Sequence, residues 1–379
     1  MPEILQVELD ENLDRTYTIG VEISEAGRMP FNKPGYESLH QIHQTGFSFT
    51  PRELLHATGC KNSPFPKTRN DQCISFALAN MKMLNLTSSV LTITGEFHSD
   101  TLANRSEEIG TGMMCIFAEK YFGIPWDQLD SIPPPGTRFD YQGTNGTLNC
   151  IFESRGTTYS SSNQMTQVKR AIEKKDVIHR TNPSPFDVEL VVSTYIGRSG
   201  THPRLVLADP DYSKFKQVYE KTDVRFYRLR HYCRILQYIG LPDSAYKLYQ
   251  YSRHYLAGRK SLFKIIDEEK AERGRLIPID IHGDTFLGRW FDFWLPKESK
   301  KYKEMSEEKK RYYFRDQVSS IRVFQGIRRD IYRSGLDSNP FTHPLLEKSE
   351  VEKYKRYDHS GVSVFPDGSL MIFEVRDTY

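Results

Sequence analysis

The clearest pattern of apolar and polar positions lies between residues 86 and 212. Apolar residues at helical spacing predict one helix that begins at a cap on Asn104 or Ser106 and ends near Phe122. The same spacing predicts a second helix over residues 163–175. Alternating or β-branched runs predict the strands around these helices, over residues 88–94, 137–154 (a hairpin), 186–196 and 204–209. The resulting order, strand–helix–strand–strand–helix–strand–strand, is typical of an α/β protein with a mixed sheet.

The two flanking parts of the chain carry weaker patterns. Residues 1–85 are loop-rich and punctuated by proline, and we expect one strand over residues 16–23 and one helix over residues 71–86. Residues 213–379 are basic and mainly helical in periodicity, with helices expected near residues 213–240, 242–257, 260–273 and 306–334. Residues 285–295 fit a strand or a buried turn, and two alternating runs around residues 366–368 predict a terminal β-hairpin.

These patterns predict three parts of the chain. The first is an N-terminal segment over residues 1–85 with no assigned role. The second is an α/β core over residues 86–212. The third is a mainly helical basic region over residues 213–379 that ends in the β-hairpin.

Composition narrows the class of protein. The chain has 379 residues and a net charge of +3, with a mean hydropathy of −0.59. No run approaches the ~18 apolar residues that a membrane span requires, and the N-terminus lacks the basic-then-apolar order of a signal peptide. We therefore expect a cytoplasmic protein that does not enter a membrane. The five cysteines are scattered without a CxxC pair, which indicates reduced core residues rather than disulfides or a structural zinc site.

Residues 138–156 carry the most chemical information. They predict two short strands joined by a turn at residues 144–146, with Asp140 on the first strand and Glu153 on the second. Arg155 follows Glu153 at the period-2 interval, so the two side chains share a face. A metal-dependent phosphodiesterase needs carboxylates that hold a divalent ion and a cation near the attacking water. The alternative is an exposed turn carboxylate beside an ordinary surface contact between Glu153 and Arg155.

The order of the elements, together with Asp140 and Glu153-Ser154-Arg155-Gly156, resembles the PD-(D/E)XK nuclease superfamily. The resemblance covers about residues 86–212 and implies a restriction-endonuclease-like core with a mixed sheet. It also includes an acidic helix before the hairpin. The helix after the hairpin opens with Gln164 and Gln167, where many relatives place a glutamine near the site, so Gln167 is a candidate catalytic residue.

The resemblance implies a metal ion, Mg²⁺ or Mn²⁺. Asp140 and Glu153 would hold it, and the backbone carbonyl of Ser154 would supply a further oxygen. Glu107 or Glu108 from the acidic helix would be a third carboxylate. Hard oxygen ligands of this kind suit both ions.

Arg155 stands where the family has lysine. Arginine keeps its charge and cannot act as a general base, although it can stabilise a pentacovalent phosphate. Three interpretations remain: an active nuclease that uses electrostatic help, a scaffold that binds without cutting, or a site that Lys169 of the following helix completes.

The helical stretch near residues 225–234 interleaves cations with aromatic rings. Such a surface contacts phosphates and stacks on bases, and its candidate nucleic-acid-binding residues are Arg225, Arg228, Arg230 and Arg234. The same spacing equally fits aromatic residues in the core with arginines at its rim.

These features predict a metal-dependent nuclease that acts on DNA, with restriction or host defence as the role implied by the resemblance. The resemblance also implies a homodimer, because many relatives use two copies to cut both strands. A second hypothesis is a nucleic-acid-binding or assembly protein that uses the same scaffold without hydrolysis. A third is an unrelated α/β protein whose resemblance to the family is accidental.

Overall fold

The computed structural model describes residues 11–24, 35–62, 80–81, 83–94, 99–132, 139–181, 186–209, 224–256, 276–281, 283–294, 318–336, 357–359, 362–365 and 367–378. They form a seven-stranded sheet, a six-stranded sheet and a two-stranded sheet, with helices packed around them. The α/β class is thereby confirmed. None of the helices in these ranges has both the length and the apolar character needed to cross a membrane.

The seven-stranded sheet contains the predicted core strands except the one over residues 88–94, of which only Thr92–Ile93 form a strand, in a separate sheet; Leu129–Ser131 add a strand that was not predicted. In chain order, the strands described up to residue 209 are β1 (Tyr17–Ile23), β2 (Phe47–Phe49), β3 (Leu84–Asn85), β4 (Thr92–Ile93), β5 (Leu129–Ser131), β6 (Tyr141–Thr144), β7 (Asn149–Thr157), β8 (Val188–Tyr195) and β9 (Arg204–Ala208). The large sheet has the order β2-β1-β9-β8-β7-β6-β5, and β3 pairs with β4 separately. Pairs β1–β9 and β7–β8 are parallel, and the other pairs are antiparallel. The sheet is therefore mixed, as predicted, and strands of the N-terminal segment complete it.

The two helices of the core occur in the predicted order, but their ends differ from the prediction, and the helices Ile42–Thr45 and Pro51–Asn62 lie in the N-terminal segment that the sequence predicted to be loop-rich. The described helices are α1 (Ile42–Thr45), α2 (Pro51–Asn62), α3 (Ser99–Phe122), α4 (Ser161–Thr181), α5 (Val224–Tyr238), α6 (Pro242–Leu256) and α7 (Arg329–Leu336), with 3-10 turns at Glu37–His40 and Trp126–Gln128. Helix α3 begins at Ser99, so the predicted cap at Asn104 or Ser106 is wrong. The hydroxyl of Ser106 instead donates to the carbonyl of Ala103 at 2.8 Å within the helix, a local bond that serine also makes in helix interiors.

The β6–β7 turn forms as predicted. Gly146 has a φ of +90°, a conformation that glycine adopts at low cost. The side chain of Asn145 accepts hydrogen bonds from the backbone N–H groups of Thr147 and Leu148, at 2.8 and 2.7 Å. It also donates to the carbonyl of Phe122 at 2.8 Å. The turn is thus attached to the end of α3, which sets the position of the hairpin relative to that helix.

Helix α3 approaches β7 very closely because glycine stands on both elements. A Cβ added to Gly156 would lie 1.7 Å from the carbonyl oxygen of Ser106, and one added to Gly110 would lie 2.7 Å from the carbonyl oxygen of Arg155. This close approach places the acidic face of α3 beside the second half of β7. It therefore defines one wall of the candidate site.

Replacing Gly156 with alanine tests this packing. We expect Gly156→Ala to lower the free energy of unfolding by about 3 kcal/mol, because backbone atoms of two elements must separate. Gly20→Ala in β1 is the matched control, since nothing lies within 4 Å of a Cβ there, and it should change stability by less than about 0.5 kcal/mol. Urea denaturation measures both, and equal losses would contradict the proposed close packing.

The described residues of the C-terminal region are not mainly helical, and for them the prediction is wrong. Helices α5 and α6 confirm two of the predicted helices, and residues 260–273 lie outside the described residues. The remaining strands are β10 (Ile277–Ile281), β11 (Asp284–Trp294), β12 (Val318–Arg328), β13 (Tyr357–His359), β14 (Val362–Val364) and β15 (Ser369–Thr378). They form an antiparallel sheet in the order β10-β11-β12-β15-β14-β13. The predicted terminal hairpin is confirmed as β14–β15.

Strand β12 explains the error over residues 306–334. Its neighbouring residues Val323 and Phe324 are both buried, in clusters on opposite faces of the sheet. A strand buried on both faces has no alternation of apolar and polar residues, and its pattern then resembles that of a buried helix.

Two further predictions fall partly outside the described residues. Residues 71–79 of the predicted helix lie outside them, and Leu84–Asn85 at its end form β3. Four cysteines, Cys60, Cys115, Cys150 and Cys233, are free and buried as predicted, and Cys73 lies outside the described residues.

Candidate active site

The hairpin brings Asp140 and Glu153 together. Asp140 directly precedes β6, where its N–H donates to the carbonyl of Phe152 at 3.1 Å and its carbonyl accepts from Ile132 at 2.9 Å. Its carboxylate accepts a hydrogen bond from the N–H of Ser154 at 3.1 Å. Asp140 is thereby fixed against β7 at the level of Glu153, although it directly precedes the first strand of the hairpin and does not lie on it as predicted.

Arg155 lies on the same face as Glu153, which confirms the period-2 prediction. Its Nη2 forms an ion pair with Oε1 of Glu153, and its Nη1 lies 3.5 Å from Oδ2 of Asp140. The side chain of Glu153 is completely buried, whereas that of Arg155 is 28% exposed. The alternative of an ordinary surface contact between the two is therefore wrong.

Lys174 of α4 joins this cluster, although the sequence pattern does not place it at the site. Its Nζ lies 2.7 and 2.5 Å from the two carboxylate oxygens of Glu153 and 3.6 Å from Oδ1 of Asp140. Lys169, the predicted lysine, is exposed, and its assignment to the site is wrong. Five residues along a helix correspond to a rotation of about 140° at ~100° per residue, so Lys169 and Lys174 face different directions.

The glutamines of α4 do not join the site. The amide of Gln164 donates to the carbonyl of Ser193 at 2.8 Å and accepts from Arg204 at 2.9 Å, which is a structural role. Gln167 is half-buried and does not line the cleft. It stands two turns before Lys174 and so on the same face of the helix. Because Gln167 does not line the cleft, this spacing does not identify Lys174, and no local pattern distinguishes it from Lys169 or Lys175.

A cleft of about 780 Å³ lies between α3 and the hairpin. Its lining residues are Asn62, Asn104, Glu107, Glu108, Thr111, Ser131, Ile132, Asp140, Tyr141, Ser154, Arg155 and Lys174. Glu107 is exposed, and Glu108 is held by Arg105 at 2.6 Å and Asn80 at 2.8 Å. Asp140 and Arg155 therefore face the same cleft as the acidic side of α3, whereas Glu153 is completely buried and is not among the residues that line it.

The environment of Glu153 shifts its proton affinity. Burial raises the pKa of Glu153 to about 7, and the negative charge of Asp140 acts in the same direction. Arg155 and Lys174 lower it but do not cancel the effect of burial. A carboxyl group with this pKa is partly protonated at neutral pH. Shifted pKa values of this kind are found more often at functional sites than elsewhere.

The oxygen donors suit a hard divalent ion. Asp140, Glu153 and the Ser154 carbonyl provide two carboxylates and one backbone oxygen. Mg²⁺ is commonly bound through one or two carboxylates together with water and phosphate oxygens. Among the described residues, no group of three or more His, Cys, Asp or Glu converges closely enough to hold a metal by itself. The donor set thus fits an ion that completes its shell with water or substrate.

Two of the four predicted nucleic-acid-binding arginines are buried structural partners. Arg228 and Arg234 are buried and pair with Asp127 at 3.0 Å and Asp130 at 2.7 Å, so their assignment to a nucleic-acid surface is wrong. Arg230 is 23% exposed, and its Nε lies 3.0 Å from Asp130. The side chain of Arg225 lies outside the described residues. The segment that follows α3 carries buried carboxylates, which need cationic partners, and the buried arginines of α5 supply them.

No protein-family profile, curated protein or solved structure matches this chain. The function of the chain is therefore inferred from the geometry of the cleft and from the chemistry of the side chains in and beside it.

Proposed function

We propose that this protein is a metal-dependent nuclease that hydrolyses phosphodiester bonds in DNA. The observation that carries the proposal is the position of Lys174, whose ammonium group contacts the buried Glu153 and lies beside Asp140. An Asp, a Glu and a Lys clustered beside an open cleft are the groups that the PD-(D/E)XK resemblance implies. The lysine comes from a helix instead of from the strand.

The fold supports a restriction-endonuclease-like core. Helix α3, the β6–β7 hairpin, α4 and β8 follow one another in the order on which the resemblance rests. The parallel pairing of β7 with β8 places α4 as the connection between them. Such crossover helices pack on the face of the sheet that they span, and this packing brings Lys174 to Glu153.

Asp140, Glu153 and the Ser154 carbonyl would hold Mg²⁺ or Mn²⁺. Glu107 and Glu108 line the same cleft, but within the described residues they form no three-carboxylate group with Asp140 and Glu153. When bound, the ion would lower the pKa of a coordinated water and offset negative charge on the phosphate.

The cations of the cleft would have separate roles. Lys174 would donate a hydrogen bond that orients the attacking water, because its ammonium group is compact and lies between the two carboxylates. Arg155 would bind the scissile phosphate through its planar guanidinium group, which matches phosphate oxygens and stays charged. The nuclease therefore does not require Arg155 to act as a base. A role in restriction or host defence, and a homodimer that cuts both strands, remain part of the proposal through the resemblance alone.

Plasmid cleavage tests the proposal. We expect the protein to cleave DNA with Mg²⁺ or Mn²⁺, and Asp140→Asn to cleave at least about a hundredfold more slowly, because it removes one charge from the metal ligands. Asp243→Asn is the matched control, since Asp243 is an exposed residue of α6, and it should cleave at the wild-type rate. Cleavage that Asp140→Asn leaves unchanged would refute the site assignment.

One observation favours a second candidate function, a nucleic-acid-binding or assembly protein without hydrolysis. Arg155 and Lys174 already offset the charges of Asp140 and Glu153, so the four side chains are mutually satisfied. No cleavage with either ion, together with salt-sensitive DNA binding, would support this second function.

A further inference from the structure

The guanidinium group of Arg155 contacts all three oxygen donors assigned to the metal. It forms an ion pair with Oε1 of Glu153, and its Nη1 lies 3.5 Å from Oδ2 of Asp140 and 3.1 Å from the carbonyl oxygen of Ser154. Lys174 contacts both oxygens of Glu153 and lies near Asp140, whereas the hydrogen bond to the Ser154 carbonyl comes from Arg155. Arg155 is therefore the cation whose contacts coincide with those expected of a bound ion.

We propose that Arg155 is an internal competitor of the divalent ion, and that a phosphodiester group relieves the competition by drawing the guanidinium group away. This inference rests on the proposed function, because it concerns the same cleft. It adds that tight metal binding requires bound substrate, and that Arg155 is the residue responsible for this requirement.

The charges of the cluster support the competition. Asp140 and Glu153 carry two negative charges when ionised, and Arg155 and Lys174 carry two positive charges. A divalent ion that enters this neutral group without a new anion meets two cations at short range. Since Glu153 is fully buried and the others are less than one-third exposed, solvent screens the repulsion only in part. Metal binding alone is therefore weak.

A phosphodiester changes this balance in two ways. It adds a negative charge to the cleft, and it offers Arg155 two oxygens in the geometry that a guanidinium group binds best. The 28% exposure of Arg155 and the open cleft beside it leave room for the side chain to turn toward a ligand. Because binding energies are linked reciprocally, the metal must strengthen phosphodiester binding by the same factor.

The experiment measures metal binding and does not depend on catalysis. Mn²⁺ affinity is determined from the electron paramagnetic resonance signal of free Mn²⁺, with and without a short DNA duplex. The duplex carries P–C in place of bridging P–O bonds, which keeps its charge and prevents hydrolysis. The duplex alone is measured to subtract the Mn²⁺ that it binds itself.

In wild-type protein, we expect the duplex to raise Mn²⁺ affinity by about tenfold or more, within the usual range of coupling between sites. Arg155→Met should bind Mn²⁺ at least about tenfold more tightly than wild type without DNA, and the duplex should then add little. Arg155→Lys keeps the charge with a smaller donor group and should lie between the two. Arg170→Met, at an exposed position of α4, is the matched control and should behave as wild type.

Folding of each variant is checked by its thermal transition. If Arg155→Met binds Mn²⁺ no more tightly than wild type, or if the duplex strengthens both equally, the inference is wrong. Tight Mn²⁺ binding by Arg155→Met without any DNA cleavage by wild type would support the inference and contradict the proposed nuclease. Cleavage by wild type with unchanged metal affinity in Arg155→Met would do the reverse.

Discussion

Lys174→Met is expected to slow DNA cleavage by about a thousandfold, within the range measured for the loss of a group that orients or transfers a proton. The substitution removes the ammonium group that lies 2.5 Å from Glu153 while keeping most of the apolar side chain. Single-turnover rates at saturating metal measure the chemical step separately from binding.

Lys169→Met is the matched control on the same helix. Both substitutions remove one positive charge, but Lys169 is exposed and lies outside the cleft. We expect Lys169→Met to retain the wild-type rate. Equal slowing by both variants would show that general charge near the DNA, and not the contact with Glu153, is responsible.

Asp130→Asn is expected to lower the free energy of unfolding by about 3–5 kcal/mol, the usual loss when one partner of a buried ion pair is removed. Asp130 is 1% exposed and pairs with Arg234 at 2.7 Å and with Arg230 at 3.0 Å. The substitution keeps the volume of the side chain but leaves the buried charge of Arg234 uncompensated. Urea denaturation at neutral pH measures the loss.

Glu22→Gln is the control for this experiment. The pair between Glu22 and Arg204 has a similar distance of 2.6 Å, but Glu22 is 52% exposed. Exposed pairs contribute less than about 1 kcal/mol, so we expect only a small loss. If Asp130→Asn is no more destabilising than Glu22→Gln, the arginines of α5 are not buried structural partners, and their role in binding nucleic acid must be reconsidered.

Local patterns in the sequence determined the order of elements in the core and part of the site. Period-2 spacing placed Glu153 and Arg155 on one face, and the turn at Asn145-Gly146 brought Asp140 beside them. These features depend on residues within one hairpin, at most 15 positions apart. Backbone geometry alone therefore relates them, and no knowledge of the rest of the fold is needed.

Tertiary structure decided what depends on partners far along the chain. Lys174 and Lys169 are equivalent in sequence terms, and only the packing of α4 on β7 distinguishes the one that reaches Glu153. The α5 arginines fit a basic surface until Asp127 and Asp130, about a hundred residues earlier, are seen to pair with them. Strand β12 has helical periodicity in sequence because it is buried on both faces. In each case the sequence specifies which residue is present. The environment of that residue arises from contacts that form only when distant segments pack together.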